Sequence, residues 1–375
     1  MTTGFSGNTA DKKPLGGSES ALLYLSRELA GIGHKVVIYN NCGKEAGIFD
    51  GVVYRQFTTL ADLVKHSKSE RYDMFISFRD LSAFLFPIKA TKRIWWGHDD
   101  FSNVWNYSGI KKHLGAAFLK FAGVLINRFC DELFVVSKWL GDLCVEKVGV
   151  KRGKIYETKN GVYLPYFRKP EPLESGRQPY RLVYTSVPAR GLDILLEIFP
   201  EIKKRVPEAT LHIYCGWDLG MLKDEDKILA QSLYDKTDQP GVIREGTKKH
   251  SELAKELQIS SLMLYPSHPV PKAGFFAETS CIAALEAQAA GCPVIAAKRG
   301  ALPESILDGK TGILIEGDPY SDEFRAKFTD ETVKLLKDPK RLASMRSDAE
   351  RFIKNNYTWD IIAKEWTEKF ERMLK

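Results

Sequence analysis

The sequence predicts an α/β protein built as two lobes, each a largely parallel sheet covered by helices. Three observations predict it. Short apolar, β-branched runs alternate with amphipathic helical stretches, the pattern of parallel sheets buried on both faces. One stretch rich in proline divides the alternation into halves. A length of 375 residues also exceeds what one ordinary core supports.

In the first half the strand candidates are 35–39, 52–54, 74–78, 93–96 and 133–136. Leu22, Leu25, Leu29 and Ile32 recur at helical spacing between them. Pro165, Pro170, Pro172 and Pro179, mixed with charge and glycine, mark 164–180 as the linker between a lobe at 1–163 and a second at 181–355. The second half offers strands at 181–185, 210–214, 262–265, 293–296 and 313–315. Residues 356–375 form a closing helix with Trp359, Ile362, Trp366 and Phe370 on one face.

The composition excludes several classes. Lys plus Arg exceed Asp plus Glu by 55 to 48, a net charge of +7. That mild, dispersed excess tolerates an anionic ligand, while no basic run interleaves with aromatics as in a nucleic-acid groove. Cys42, Cys130, Cys144, Cys215, Cys281 and Cys292 form no C-x-x-C pair and sit in apolar patterns, as buried free thiols do. The polar N-terminus resembles no signal peptide, and the expected compartment is the reducing cytoplasm. No G-x-G-x-x-G follows a strand, which argues against a nicotinamide dehydrogenase.

The chemistry is concentrated between Tyr265 and Gly317. A strand runs into a loop carrying prolines and glycine, then a helix is expected from about Thr279 to Ala290, closed by Gly291-Cys292-Pro293. Glu278 opens that helix and Glu286 follows eight positions later, about 12 Å along the axis. That span suits a diphosphate between two sugars. The helix start at Thr279, Ser280, Cys281 and Ile282 would present amides to the phosphates. Two carboxylates at one spacing are common, and alone they carry little weight.

Their context carries a resemblance. Glu278 and Glu286 match the E-x7-E motif of the nucleotide-sugar glycosyltransferases of family 4, which are retaining enzymes of the GT-B fold. EAQAAGCPVIA matches the segment after the motif, and ALPESILDGKTGIL resembles the next, with Glu304, Gly309 and Gly312 in register. The resemblance implies two Rossmann-like lobes facing a cleft, with the final helix crossing back to the first lobe. It also implies a donor that is a UDP- or GDP-linked sugar, with Glu286 on the ribose and Glu278 on the transferred sugar.

Weaker matches follow in the expected order. Gly16-Gly17-Ser18-Glu19 resembles the family's N-terminal glycine loop, where glycines let backbone approach the donor and Ser18 would cap the helix. His98, after the strand RIWW, resembles the family's histidine facing the transferred sugar. Arg190-Gly191 fits the second half of a basic pair that neutralises the diphosphate; Thr185, Ser186 and Val187 stand where the first would be. Lys298 and Arg299 are weaker substitutes. Asp99-Asp100 is not the D-x-D of metal-dependent transferases, and Asp224-Glu225-Asp226 reads as solvated surface. The expectation is no cofactor and no essential metal, the nucleotide sugar being a substrate.

Two departures accompany the matches. No convincing strand precedes Gly16, where the family has its first, and an absent central strand would expose a pairing edge. The loop from Ser267 to Ala277 is longer than usual and has the composition of a lid. Three functions stay open: a hexosyltransferase acting on a glycan or lipid-linked glycan, a nucleotide-sugar epimerase on the same fold, and a catalytically weakened sugar-nucleotide binder. The helix at Ile110–Phe129 also reads two ways. Leu114, Phe118, Phe121 and Leu125 form either an ordinary buried face or, with Lys111, Lys112, Lys120 and Arg128, a peripheral membrane contact.

Overall fold

The computed structural model describes residues 4–57, 59–101, 110–167, 176–215, 231–268 and 277–375. Pro170, Pro172, the Asp224–Asp226 run and most of the Ser267–Ala277 loop lie outside them. The chain forms two compact units: Met1–Gly161 with Tyr357–Lys375, and Val162–Asn356.

In the first unit every strand candidate forms: β1 Val36–Asn40, β3 Val52–Gln56, β4 Tyr72–Phe78, β5 Ala90–Gly97 and β6 Glu132–Val135. Two three-residue strands, β2 Gly47–Phe49 and β7 Ile155–Glu157, join them; runs this short carry no readable period. The strands make two sheets, ordered β1-β3-β2 and β4-β5-β6-β7. Residues 4–15 supply no strand and only the short helix α1, Thr9–Lys12. Both β1 and β4 are therefore sheet edges. Of the apolar β4 only Ser77 is fully buried, and of β1 only Ile38.

Helix α2, Gly17–Ile32, starts two residues earlier than a Ser18 cap would allow. Gly16 is its N-cap and no side chain caps it. The closing helix, Trp359–Leu374, packs against α2 and β5 in this unit. Its four apolar positions, Trp359, Ile362, Trp366 and Phe370, are all buried. The Trp366 ring lies 4.9 Å from Trp96 and 4.7 Å from Phe134. Its Nε1–H donates to Thr158 Oγ1 at 2.6 Å, so its one polar atom is satisfied inside the core.

The second unit holds one six-stranded sheet: β8 Arg181–Tyr184, β9 Thr210–Ile213, β10 Val242–Arg244, β11 Leu262–Tyr265, β12 Val294–Ala297 and β13 Gly312–Ile315. Its order is β10-β9-β8-β11-β12-β13 with every pair parallel. All four residues of β8, β11, β12 and β13 are buried, as strands covered by helices on both faces must be. The strand order reverses between β8 and β11. Ligands of open parallel sheets bind at the strand C-termini beside such a reversal.

All six cysteines are buried and free. Among the described residues no helix is long and apolar enough to cross a membrane.

Trp366→Ala should lower stability by about 3–5 kcal/mol through the cavity it leaves. Urea unfolding followed by circular dichroism reads the loss. Trp366→Phe, which keeps most of the ring, should lose much less.

Candidate active site

The second unit gathers its candidates at the C-termini of β8, β11 and β12. Arg190 and Gly191 end the turn after β8, and helix Leu192–Arg205 follows. Gly191 has φ +93° and lies so close to the β11 exit that a Cβ would stand 2.2 Å from the Pro266 carbonyl oxygen. Only glycine meets both demands, which seats Arg190 next to Tyr265.

Glu278 is buried and held from two sides. Its main-chain carbonyl accepts the Ala301 N–H at 2.8 Å. Its carboxylate accepts the Tyr265 hydroxyl and faces Arg190 Nη1 at 3.4 Å. Burial, followed by the Glu278 charge, pushes the Tyr265 phenol well above its usual value, so it remains a donor. Burial works against the charge of Arg190 and is the largest single influence on it, but Glu278 together with Tyr265, Cys281 and Tyr184 offsets it, and the guanidinium ends more basic than an ordinary arginine. Gly300 makes the arrangement possible. At φ +55° it passes so near Glu278 that a Cβ would stand 2.4 Å from the Glu278 carbonyl oxygen.

The helix between the two acids starts later than its sequence suggests. It spans Ile282–Ala289, with Cys281 as N-cap. Thr279 and Ser280 lie in the bend before it, so Glu278 belongs to the loop and not to the helix. The axial separation inferred from sequence therefore does not apply. The helix-start donors shift to the first turn, where the amides of Ile282 and Ala283 have no partner within the helix. The Cys281 carbonyl accepts the N–H groups of Ala284 and Leu285 at 3.0 and 3.1 Å. Burial pushes its thiol well above the usual range, which leaves it neutral.

Glu286 sits in this helix, buried, with Oε1 3.0 Å from His250 Nδ1. His250 opens helix His250–Ile259. Nothing local singles it out, because it lies 36 positions from Glu286 and matches no motif. Tyr265 was legible only as a strand residue, and Gly300 only as a turn. Lys298, by contrast, turns to Glu316.

The first unit holds the remaining candidates. Gly16 and Gly17 are exposed at the N-terminus of α2, where backbone donors accumulate. The Glu19 carboxylate folds back over Gly16, 2.5 Å from where its Cβ would be. His98 follows β5 and is buried between Phe78 and Trp96, with ring centroids at 4.9 and 4.7 Å. Burial, then the Arg79 charge, pushes its pKa down to about 3. It is a neutral imidazole at any physiological pH. Beside it Arg79 grips Asp99 with two hydrogen bonds of 2.8 and 2.7 Å, a fork geometry that fixes the loop.

With this geometry in view, comparison with known proteins is decisive. The family model for glycosyl transferases group 1 matches residues 170–359, just over half of the chain. The chain belongs to that family. A GDP-mannose-dependent alpha-(1-6)-phosphatidylinositol monomannoside mannosyltransferase of Mycolicibacterium smegmatis is 31% identical over 184 residues, covering 46% of this chain and 42% of the relative. A D-inositol 3-phosphate glycosyltransferase of Rhodococcus jostii is 28% identical over 206 residues, 53% of this chain and 42% of the relative. The chain thus matches less than half the length of these relatives. HepE of Anabaena, solved in complex with UDP-glucose, superposes with TM-score 0.73 at 16% identity, covering 99% of this chain and 98% of HepE. Sucrose-phosphate synthase from Thermosynechococcus elongatus gives 0.74 at 14%, covering 98% and 97%. At these identities the likeness speaks for the fold, which is GT-B, as the resemblance implied.

The depressed pKa of His98 has a measurable consequence. Between the ordinary histidine value of 6.5 and about 3, the unfolded chain takes up a proton that the folded one refuses. Stability therefore falls as pH drops through that window, by at most about 1.4 kcal/mol per pH unit from this residue. His98→Asn should flatten the dependence below pH 6.5 by about one proton. Urea unfolding across a pH series reads it, and parallel slopes for the two proteins would refute a buried neutral His98.

Proposed function

We propose that this protein transfers a hexose-type sugar from a UDP- or GDP-linked donor to a glycan or lipid-linked glycan, with retention of configuration and without a metal. The observation that carries the reading is the pairing of a buried Glu286–His250 contact with the Tyr265–Glu278–Arg190 cluster at the strand reversal of one parallel sheet. The curated relatives, which include GDP-mannose-dependent enzymes, support the donor class.

In this reading Glu286 accepts the two ribose hydroxyls, and His250 fixes which way its carboxylate points. The diphosphate lies on the first-turn amides of Ile282 and Ala283 and against Arg190. A guanidinium suits phosphate oxygens because its planar fork matches them. The bond from the sugar's anomeric carbon to the phosphate oxygen breaks while that to the acceptor oxygen forms. The acceptor's proton passes to the departing diphosphate. Charge builds on that leaving group, and preorganised donors act there. Glu278, held by Tyr265 and Ala301, would orient the hydroxyls of the transferred sugar, and His98 would serve as a neutral hydrogen-bonding group. Gly16 and Gly17 would admit the donor phosphates to the N-terminal end of α2.

The test is nucleotide release from a panel of UDP- and GDP-sugars, with and without sugar acceptors. Acceptor-dependent release from at least one donor is expected, with the product's anomeric configuration read by NMR. Release from none would sink the proposal, and turnover indifferent to acceptor would favour an epimerase. Glu278→Ala should lower kcat by about 10²–10³-fold. Glu286→Ala should instead raise the donor KM by about 10–100-fold and leave kcat near the parent value. His250→Ala should shift KM in the same direction by less.

A further inference from the structure

The helix at Ile110–Phe129, α4 in chain order after α3 (Leu60–Ser69), settles one question that the sequence left open. Its buried side consists of Gly115, Leu119, Ala122, Gly123 and Ile126. Gly123 sits so close to the segment Cys144–Val148 that a Cβ would stand 2.1 Å from the Val148 carbonyl oxygen. The reading of Leu114, Phe118 and Phe121 as an ordinary buried face is therefore overturned. The helix does have a buried face, but it is a different one, turned about a third of a revolution from the stripe and built mostly of small residues.

Leu114 is 65% exposed, Phe118 58%, Phe121 55% and Val124 62%. At 100° per residue the first three and Leu125 share one stripe, and Val124 flanks it. Leu85, on the turn Ser82–Leu85 that lies against this helix, is also mostly exposed. Single exposed apolar residues are ordinary, but a contiguous set of this size on one helix marks a docking surface.

Charge decides what docks. The helix sequence contains no Asp or Glu and carries Lys111, Lys112, Lys120 and Arg128. Lys120 and Arg128 are exposed on the Val124 side of the stripe, Arg128 at its edge and Lys120 just beyond Val124. The nearest acid on the segment beneath, Glu146, pairs with Lys147. A two-fold contact between copies of this chain would set these cations against themselves. An anionic bilayer surface would satisfy both the apolar stripe and its basic flank. We infer that this helix docks the protein in the plane of an anionic lipid surface, with Leu114, Phe118 and Phe121 inserted and Lys120 and Arg128 at the headgroups. The inference stands on the helix alone and does not depend on the donor-site reading.

Flotation of the full chain with vesicles tests it. Vesicles of phosphatidylcholine mixed with phosphatidylglycerol should carry the protein upward, and vesicles of phosphatidylcholine alone should carry much less. The doubly substituted F118S/F121S protein should lose at least about tenfold in vesicle affinity, and K120E/R128E should lose both affinity and its dependence on salt. All four positions are exposed, so thermal unfolding and nucleotide release should match the parent; a folded variant with unchanged release isolates the lipid effect. Equal flotation of parent and F118S/F121S, or no flotation with anionic vesicles, overturns the inference. A dimer seen by light scattering that F118S/F121S abolishes, without lipid binding, would instead make this face a contact between two copies.

Discussion

The candidate donor site depends on one close backbone approach, that of Gly300 to Glu278. Gly300 leaves β12 with φ +55°, and no side chain fits between it and the Glu278 main chain. The Ala301 N–H then reaches the Glu278 carbonyl. This fixes the segment before helix Ile282–Ala289 against the next strand's exit. From there the Glu278 carboxylate can meet only what lies at the C-termini of β8 and β11, namely Arg190 and Tyr265. The same contact sets the start of the helix and hence the direction its first amides face. A substitution at Gly300 would disturb every one of these relations without touching a ligand.

How much of this was legible varies with the physics. All ten strand candidates became strands, and each of these strands spans at least four residues. The three missed strands hold three residues each, too few to show alternation. The Glu278 and Glu286 pair was legible through its flanking segments, yet the start of its helix was not. Thr279 and Ser280 are good cap formers, so the sequence favours a start there. The tertiary clamp on Glu278 instead holds the chain in a bend until Cys281. His250 was invisible for a different reason. A contact across 36 positions leaves no local trace, and only the fold brings it to Glu286.

The N-terminal unit shows the converse. Its departure from the family pattern was read from a segment without strand character, and the structure carries the consequence into β1 and β4. Both are apolar enough to be central strands, yet they end separate sheets and stay mostly half-buried. The helix at Ile110–Phe129 misled for a related reason. An apolar stripe at helical spacing reports amphipathicity but not which side the core takes. Small residues at Gly115, Ala122 and Gly123 were the better signal, since close packing against neighbouring backbone needs them.

The two units differ in how they hold their candidate residues electrostatically. In the second, the buried Glu278 carboxylate and the groups around it offset the burial of Arg190 and leave it more basic than usual, so a full positive charge waits where an anion is expected. In the first, burial and Arg79 hold His98 neutral down to about pH 3. A neutral imidazole offers one donor and one acceptor and adds no charge of its own. It can therefore orient a sugar hydroxyl but cannot offset charge on a departing diphosphate. In the proposed reaction that task falls to Arg190 and the amides at the start of the helix. Replacing His98 with a neutral hydrogen-bonding residue should accordingly be tolerated far better than replacing Arg190 with one. The contrast follows from burial and charge alone.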